Sequence, residues 1–459
     1  MENYILALVA IAGIIATVTM LLRPTYGMLL LIFITFIRLS DVMVRTHGLP
    51  SFDKIFVPVL GIIFLVRWGI YYEKPVAWGT TLAFVSSYLV LGLISMLHAE
   101  FPDQVYIALT GALKDAIVVV LIAALIRKPE NIRGIAWTII AAGFFLGTLT
   151  TIQFLTSSYG STYGGFVEAN LLPGAGYYRL SGIRLHPNTY AQRFLVVIPL
   201  ALDRFWNEKD SRLKILAGWT LGVSTIAIIA TYSRGSFLGL VVVGVIMTLF
   251  TRRAKLYTII FVLLFGALVY QYVPNRYVER ISTLSEFTTG TDISLVESTS
   301  FRGRISENVA AWNMFKEYPL FGVGLNNFKS HYLDYSRDIG LDSRLEERSP
   351  HSLYLEIMAE LGIVGLIWLI ALLWTTFKGL RQAHEDFIIS GWPDYANLTL
   401  AIGTGVIGYL VAGIFLHVSH LVFFLMLFSI SLPIPYLAKR VLAKETDYLE
   451  ASMPIFQHS

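Results

Sequence analysis

Residues 353–377 read LYLEIMAELGIVGLIWLIALLWTTF, a run whose charged residues are Glu356 and Glu360, both near its start. Crossing ~30 Å of hydrocarbon takes roughly 17 to 25 apolar residues as helix. Backbone amides in lipid must pair within their own segment, so such a run is a helix rather than a strand. Comparable runs recur almost without pause at 3–22, 26–44, 55–72, 78–98, 105–126, 132–156, 188–206, 214–231, 235–251, 255–273, 396–416 and 419–438. The reading is an all-α polytopic membrane bundle of about 12 or 13 crossings. The weakest is the second, which Arg38 and Asp41 interrupt. The first span is not expected to be a removable signal peptide, because Met1, Glu2 and Asn3 provide no basic leader.

Composition agrees. Of 459 residues, 55% are hydrophobic and 14% charged, against about 25% charged in soluble domains. That balance excludes a soluble multidomain enzyme, a disordered chain, a collagen-like repeat and a coiled coil. The absence of cysteine excludes disulfides, thiolate metal sites and a thiol nucleophile. No phosphate-binding glycine loop and no HExxH or Asp-rich cluster points to a nucleotide or metal cofactor. The basic residues form no aromatic-interleaved surface for nucleic acid.

Short connections rich in Lys and Arg set the orientation. Arg127/Lys128/Arg133, Arg204/Lys209/Arg212/Lys214, Arg252/Arg253/Lys255, Lys378/Arg381 and Lys439/Arg440/Lys444 fall on one side by helix parity, expected to be cytoplasmic. The other side receives 99–104, 157–187, the turn at Tyr232–Gly235, the long segment 274–352 and His417. The whole of 1–459 reads as one membrane domain, with 274–352 as a partly helical outer loop. Within that loop Ser294–Thr299 reads as flexible. Residues Gly303–Tyr318, with Ile305, Val309, Trp312 and Phe315 at three- and four-residue spacing, predict an amphipathic helix ended by Pro319, and Asn326–Asp338 a second short one.

Three outer-side clusters can carry chemistry. Arg179 and Arg184-Leu185-His186-Pro187-Asn188 lead into a span, where Pro187 and Asn188 could simply start a helix and Arg184 reach the headgroups. Tyr232-Ser233-Arg234-Gly235-Ser236 puts an arginine between two apolar helices, costly unless it faces water or a polar cavity. Ser349-Pro350-His351-Ser352 precedes a span. Ser349 as cap and Pro350 at the first helical position would place His351 in the first turn, where the helix dipole disfavours imidazolium and leaves a proton acceptor. A structural role for a lone histidine stays open. Glu356 and Glu360 are stacked one turn apart and could couple to ions or brace the packing. Glu356 lies about 140° around the helix from His351, which disfavours a His–Glu pair within that helix.

In order, Gly182–Asn188, Thr231–Gly235, Glu317-Tyr318-Pro319-Leu320-Phe321-Gly322-Val323-Gly324, Pro350–Glu356 and Glu360-Leu361-Gly362 resemble the O-antigen ligase/polymerase superfamily of membrane glycosyltransferases. The likeness is best over about 180–370, and Leu22-Arg23-Pro24 is closer to the ligases and the exosortase-associated O-glycosylation ligases than to polymerases. The resemblance implies a GT-C-like bundle in the bacterial inner membrane with its active site on the periplasmic face. It implies transfer of a glycan from a polyprenyl (undecaprenyl) diphosphate donor to a hydroxyl of lipid A-core, with inversion and without metal or other cofactor. His351 is then the expected general base, Arg184 and Arg234 the diphosphate ligands, and Arg302 and Arg304 further substrate contacts. His186 and Asn188 would orient Arg184, and Tyr354 would line the sugar site. A repeat-unit polymerase and a protein O-oligosaccharyltransferase are alternatives of the same chemistry. A transporter of lipid-linked glycans would use Glu356 and Glu360 instead, and would show inverted repeats and broken helices; no internal symmetry is visible in the sequence.

Overall fold

The computed structural model describes residues 23–171, 176–182, 186–250, 299–342, 346–417 and 421–452. The sequence-predicted spans 3–22 and 255–273, the stretch 294–298 and Arg184 lie outside the described residues.

Within them the chain is helical, with one small hairpin. The elements are α1 Pro24–Ile37, α2 Leu39–Thr46, α3 Asp53–Gly69, α4 Gly79–His98, α5 Pro102–Leu125, α6 Pro129–Leu155, β1 Val167–Leu171, β2 Tyr178–Gly182, α7 Pro187–Asn207, α8 Ser211–Ala230, α9 Arg234–Phe250, α10 Thr299–Glu317, α11 Phe328–Ile339, α12 Leu353–Ile389, α13 Pro393–Ala412, α14 Leu421–Ser431 and α15 Ile434–Ser452. Seven helices among the described residues are long and apolar enough to cross a membrane, and the pair α1/α2, bent by 55°, makes an eighth candidate. The protein is a multi-pass membrane bundle.

The bend answers the interruption seen in the sequence. Arg38 adopts the left-handed conformation (φ 58°) and its Nε donates to Asp41 at 2.7 Å, so the charged pair sits at a corner. The carbonyl of Phe36, near the end of α1, accepts from Arg193 at 2.8 Å. Arg193 lies on α7, buried along nearly its whole length among α6, α8, α9 and α13. A central helix can hold polar groups only if neighbours satisfy them. Gln192 donates to the Tyr409 carbonyl at 2.9 Å, Arg193 also lies over the Phe423 ring, and Arg204 pairs with Asp203 and Asp394, each at 2.7 Å.

These contacts group the helix ends as parity requires. Arg133–Glu208 and Arg204–Asp394 join the connections at one end. At the other, Asn327 bonds both the amide and the carbonyl of Phe101, and Arg179 bonds Thr231.

Two of the expected helices form with features their sequence patterns do not show. Helix α10 buries Ser306, Glu307, Ala310, Ala311 and Met314, while Val309 and Trp312 face outward. Small residues let α10 approach α11 and α12 closely, and the large apolar side chains remain on the open face. The run expected at 353–377 is part of a helix extending to Ile389 and broken at Gly362 (φ 62°, ψ −153°). Its polar extension carries an exposed Arg381–Glu385 pair one turn apart.

The break is filled by the Pro319–Gly324 segment. The carbonyls of Ala359 and Glu360 accept from Val323 (2.9 Å) and Gly324 (3.0 Å), and the amides of Ile363 and Val364 donate to Pro319 (2.8 Å) and Leu320 (3.4 Å). The Glu360 carboxylate accepts from the amides of Asn326 at 2.8 Å and Phe328 at 3.4 Å, holding the start of α11. The interrupted helix thus anchors Pro319–Gly324 and the start of α11 on the bundle.

Candidate active site

His351 does not occupy the first turn of α12. Ser352, in extended conformation, is the cap, its Oγ accepting from the Leu355 amide at 3.5 Å. The capping serine is therefore one turn later than Ser349, and the imidazole lies just outside the helix. Its chemistry is set instead by Glu307 of α10, whose Oε2 bonds His351 Nδ1. A carboxylate oxygen against Nδ1 favours the imidazole tautomer that carries its hydrogen there, and in that tautomer Nε2 is the acceptor.

Glu307 is fully buried and held from its far side. Arg348 Nε lies 2.9 Å from Oε1, and Arg348 approaches Asp342 at 3.8 Å. The Tyr332 hydroxyl bridges Asp342 (3.0 Å) and Ser306 (3.2 Å). A buried carboxylate between a guanidinium and an imidazole is braced against rotation, as a group orienting a base must be.

The ring of His417 lies 6.2 Å from that of His351. Burial, with a lesser contribution from the charge of Lys329, pushes its pKa down to about 4. His186 caps α7, its Nδ1 accepting from the Asn188 amide at 3.3 Å. It keeps solvent contact, and its pKa is also driven down, by the protein crowding the mouth and by the neighbouring charges of Arg179 and Arg304. His186 and His417 are therefore both neutral near pH 7.

Arg179 of β2 is buried and ties two expected clusters together. Its Nε donates to the Thr231 carbonyl at 2.8 Å and its terminal nitrogen to Asn188 Oδ1 at 2.6 Å. Ser236 Oγ donates to the Asn188 carbonyl at 3.4 Å. A Cβ on Gly235 would meet the Phe415 ring at 3.0 Å, so the turn bearing Arg234 packs against the approach to His417. Leu353, at the start of α12, packs near Gly413 and Gln192. The N-termini of α7, α9 and α12 therefore gather at one end, where their partial positive charges add to the arginines.

The described residues bring His186, Asn188, Arg234, Arg304 and His351 to this end. Arg184 is outside them. Arg302 follows the start of α10, half-buried, one turn before Ser306. Asn188 gives its side-chain oxygen to Arg179, and Tyr354 gives its hydroxyl to the Leu410 carbonyl at 3.0 Å, bracing α12 on α13. Sequence reasoning missed Glu307 and Arg348 altogether. The only signal for Glu307 was an acidic residue beside Ala310 and Ala311 in an outer helix.

Residues 219–370 match the family model described as O-antigen ligase. The matched stretch runs from α8 through Arg234, Glu307 and His351 to just beyond the break at Gly362. No curated protein matches the chain.

Proposed function

We propose, from the match of residues 219–370 to the O-antigen ligase family model, that the chain is an inverting glycosyltransferase that moves a glycan from polyprenyl diphosphate to a hydroxyl of lipid A-core. The reaction takes place at the His351 end, on the periplasmic face of the bacterial inner membrane. The observation that carries the reading is the Glu307–His351 pair set among arginines and helix N-termini.

In this reaction His351 Nε2 takes the proton of the acceptor hydroxyl as its oxygen attacks the anomeric carbon. The bond from that carbon to the diphosphate oxygen breaks on the opposite face, and its electron pair leaves with the diphosphate. Arg234 and Arg184 bind the departing anion, with Arg302 and Arg304 available along the glycan. Arg179 holds the turn and the start of α7 in register. Fixed cations in a site of low polarity need no reorganisation as charge develops, and a positioned base adds about 10²- to 10⁴-fold. Glu307 is a positioning residue: it fixes which nitrogen of His351 accepts.

The break in α12 is a feature a transporter would share, but the Glu360 carboxylate beside it is engaged by two backbone amides instead of standing ready to carry ions, which favours transfer. The test is purified protein in liposomes with undecaprenyl diphosphate-linked glycan and lipid A-core. Appearance of glycosylated lipid A-core, lost in His351→Ala, is the expected result. Lengthening of the carrier-linked glycan would make the protein a polymerase, and passage of the donor across the bilayer without transfer would end the enzyme reading.

A further inference from the structure

At the end of the bundle away from His351 lies a second basic site, and we propose that it binds the phosphate headgroup of an anionic phospholipid. A cavity of about 1110 Å³ is lined by Arg23, Arg67, Arg127, Lys128, Arg440 and Lys444. Three carboxylates, Glu73, Glu130 and Glu445, also line it, leaving a surplus of three positive charges. Glu73 is consumed by two of the arginines: one oxygen lies 3.0 Å from Arg67 and the other contacts Arg127. This clamp fixes the link between α3 and α5 and leaves Arg23, Arg440 and Lys444, from α1's cap and α15, exposed around the rim.

The walls choose among anions. Leu29, Leu125, Leu437 and Val441 give the cavity an apolar side. A soluble phosphate gains nothing from those walls, whereas an acyl chain buries surface along them. The cavity also opens where α5 ends at Leu125 and α6 begins at Pro129, the depth at which a headgroup meets the helix ends. Tyr26 and Trp392 line it as well, residue types that favour the membrane–water interface. Basic pockets between helices at this depth select acidic headgroups.

The experiment is native mass spectrometry of the delipidated full chain titrated with phosphatidylglycerol, phosphatidylcholine or inorganic phosphate. Expected is retention of phosphatidylglycerol at about tenfold lower concentration than phosphatidylcholine, and loss of that preference in the Arg440→Gln/Lys444→Gln double variant. Arg23→Gln, on a different helix, provides a second variant if the first expresses poorly. Equal retention of the two lipids, or an unchanged preference in both variants, would overturn the site. Displacement of phosphatidylglycerol by millimolar inorganic phosphate would overturn the lipid assignment in favour of a soluble anion.

Discussion

Glu307 reaches from α10 to the Nδ1 face of His351, 44 positions further along the chain, and Arg348 grips the other carboxylate oxygen. This relationship makes a sharper claim than the presence of a histidine. Glu307→Gln keeps the shape but can donate to Nδ1 and so favour the wrong tautomer. Turnover should fall by about 10²- to 10⁴-fold with little change in the KM for donor. Because the two residues act as one unit, Glu307→Gln/His351→Ala should be no slower than His351→Ala alone. Additive losses in transfer kinetics would show that Glu307 serves only the packing of α10.

Arg234 begins α9 on a turn tied to α7 through Arg179 and Ser236. If its guanidinium binds the leaving diphosphate, Arg234→Gln should lower kcat/KM for donor by about 10²-fold. Arg234→Lys should recover only part, because an ammonium lacks the planar two-pronged donor set. Donor titration at saturating acceptor measures this, and a variant with normal donor kinetics would remove Arg234 from the site. Arg184→Gln is expected to behave in the same way.

The helices were legible because burying a backbone in lipid imposes long apolar runs, and even the corner at Arg38 announced itself through charge. The outer helices were legible from Pro319 and from periodicity, but the buried face of α10 was not. Periodicity identifies the largest apolar side chains, whereas close packing here selected Ala310 and Ala311 and left Trp312 outside. The cap of α12 was misplaced by one turn because Ser349 and Ser352 are equally good caps in isolation, and only tertiary packing separates them. Glu307 was invisible for another reason: its partner comes from a different element, and such a pairing leaves no local pattern. Gly322, Gly324 and Gly362 stand out in the sequence, yet their use as a seam between Pro319–Gly324 and the broken α12 becomes apparent only in three dimensions.

His417 gives a pH prediction. Its ordinary value is about 6.5, and burial holds it near 4 in the folded protein. Between these values the unfolded chain binds more protons than the folded one, so stability rises with pH across that window. The contribution is complete above about pH 6.5 and is lost as the pH falls toward 4, with a slope of at most about 1.4 kcal/mol per pH unit. His417→Gln cannot charge and should flatten this part of the profile. Apparent Tm in detergent between pH 7.5 and 4.5 measures it. Parallel curves for parent and variant would assign the acid loss to other groups.

The seam at Gly362 should be as sensitive as the site it supports. Both Gly362 (φ 62°) and Gly322 (φ 69°) have left-handed backbone conformations that side-chain-bearing residues adopt at a cost. A Cβ at Gly362 would lie 2.4 Å from the Leu320 carbonyl oxygen, and one at Gly322 would lie 2.4 Å from the Glu360 backbone carbon. Backbone cannot rotate aside as a side chain can, so Gly362→Ala must open the four hydrogen bonds closing the break. A destabilisation of at least about 2 kcal/mol follows, read as a lower Tm. The α11 start held by Glu360 would loosen with it, so amide exchange should rise in Asn326–Tyr332 before it rises in α7. Gly340→Ala serves as the comparison: its φ is also positive (67°), but no atom lies within 4 Å of the added carbon. A Tm loss no greater than that of Gly340→Ala would mean that backbone strain alone, and not the seam, accounts for the glycine at 362.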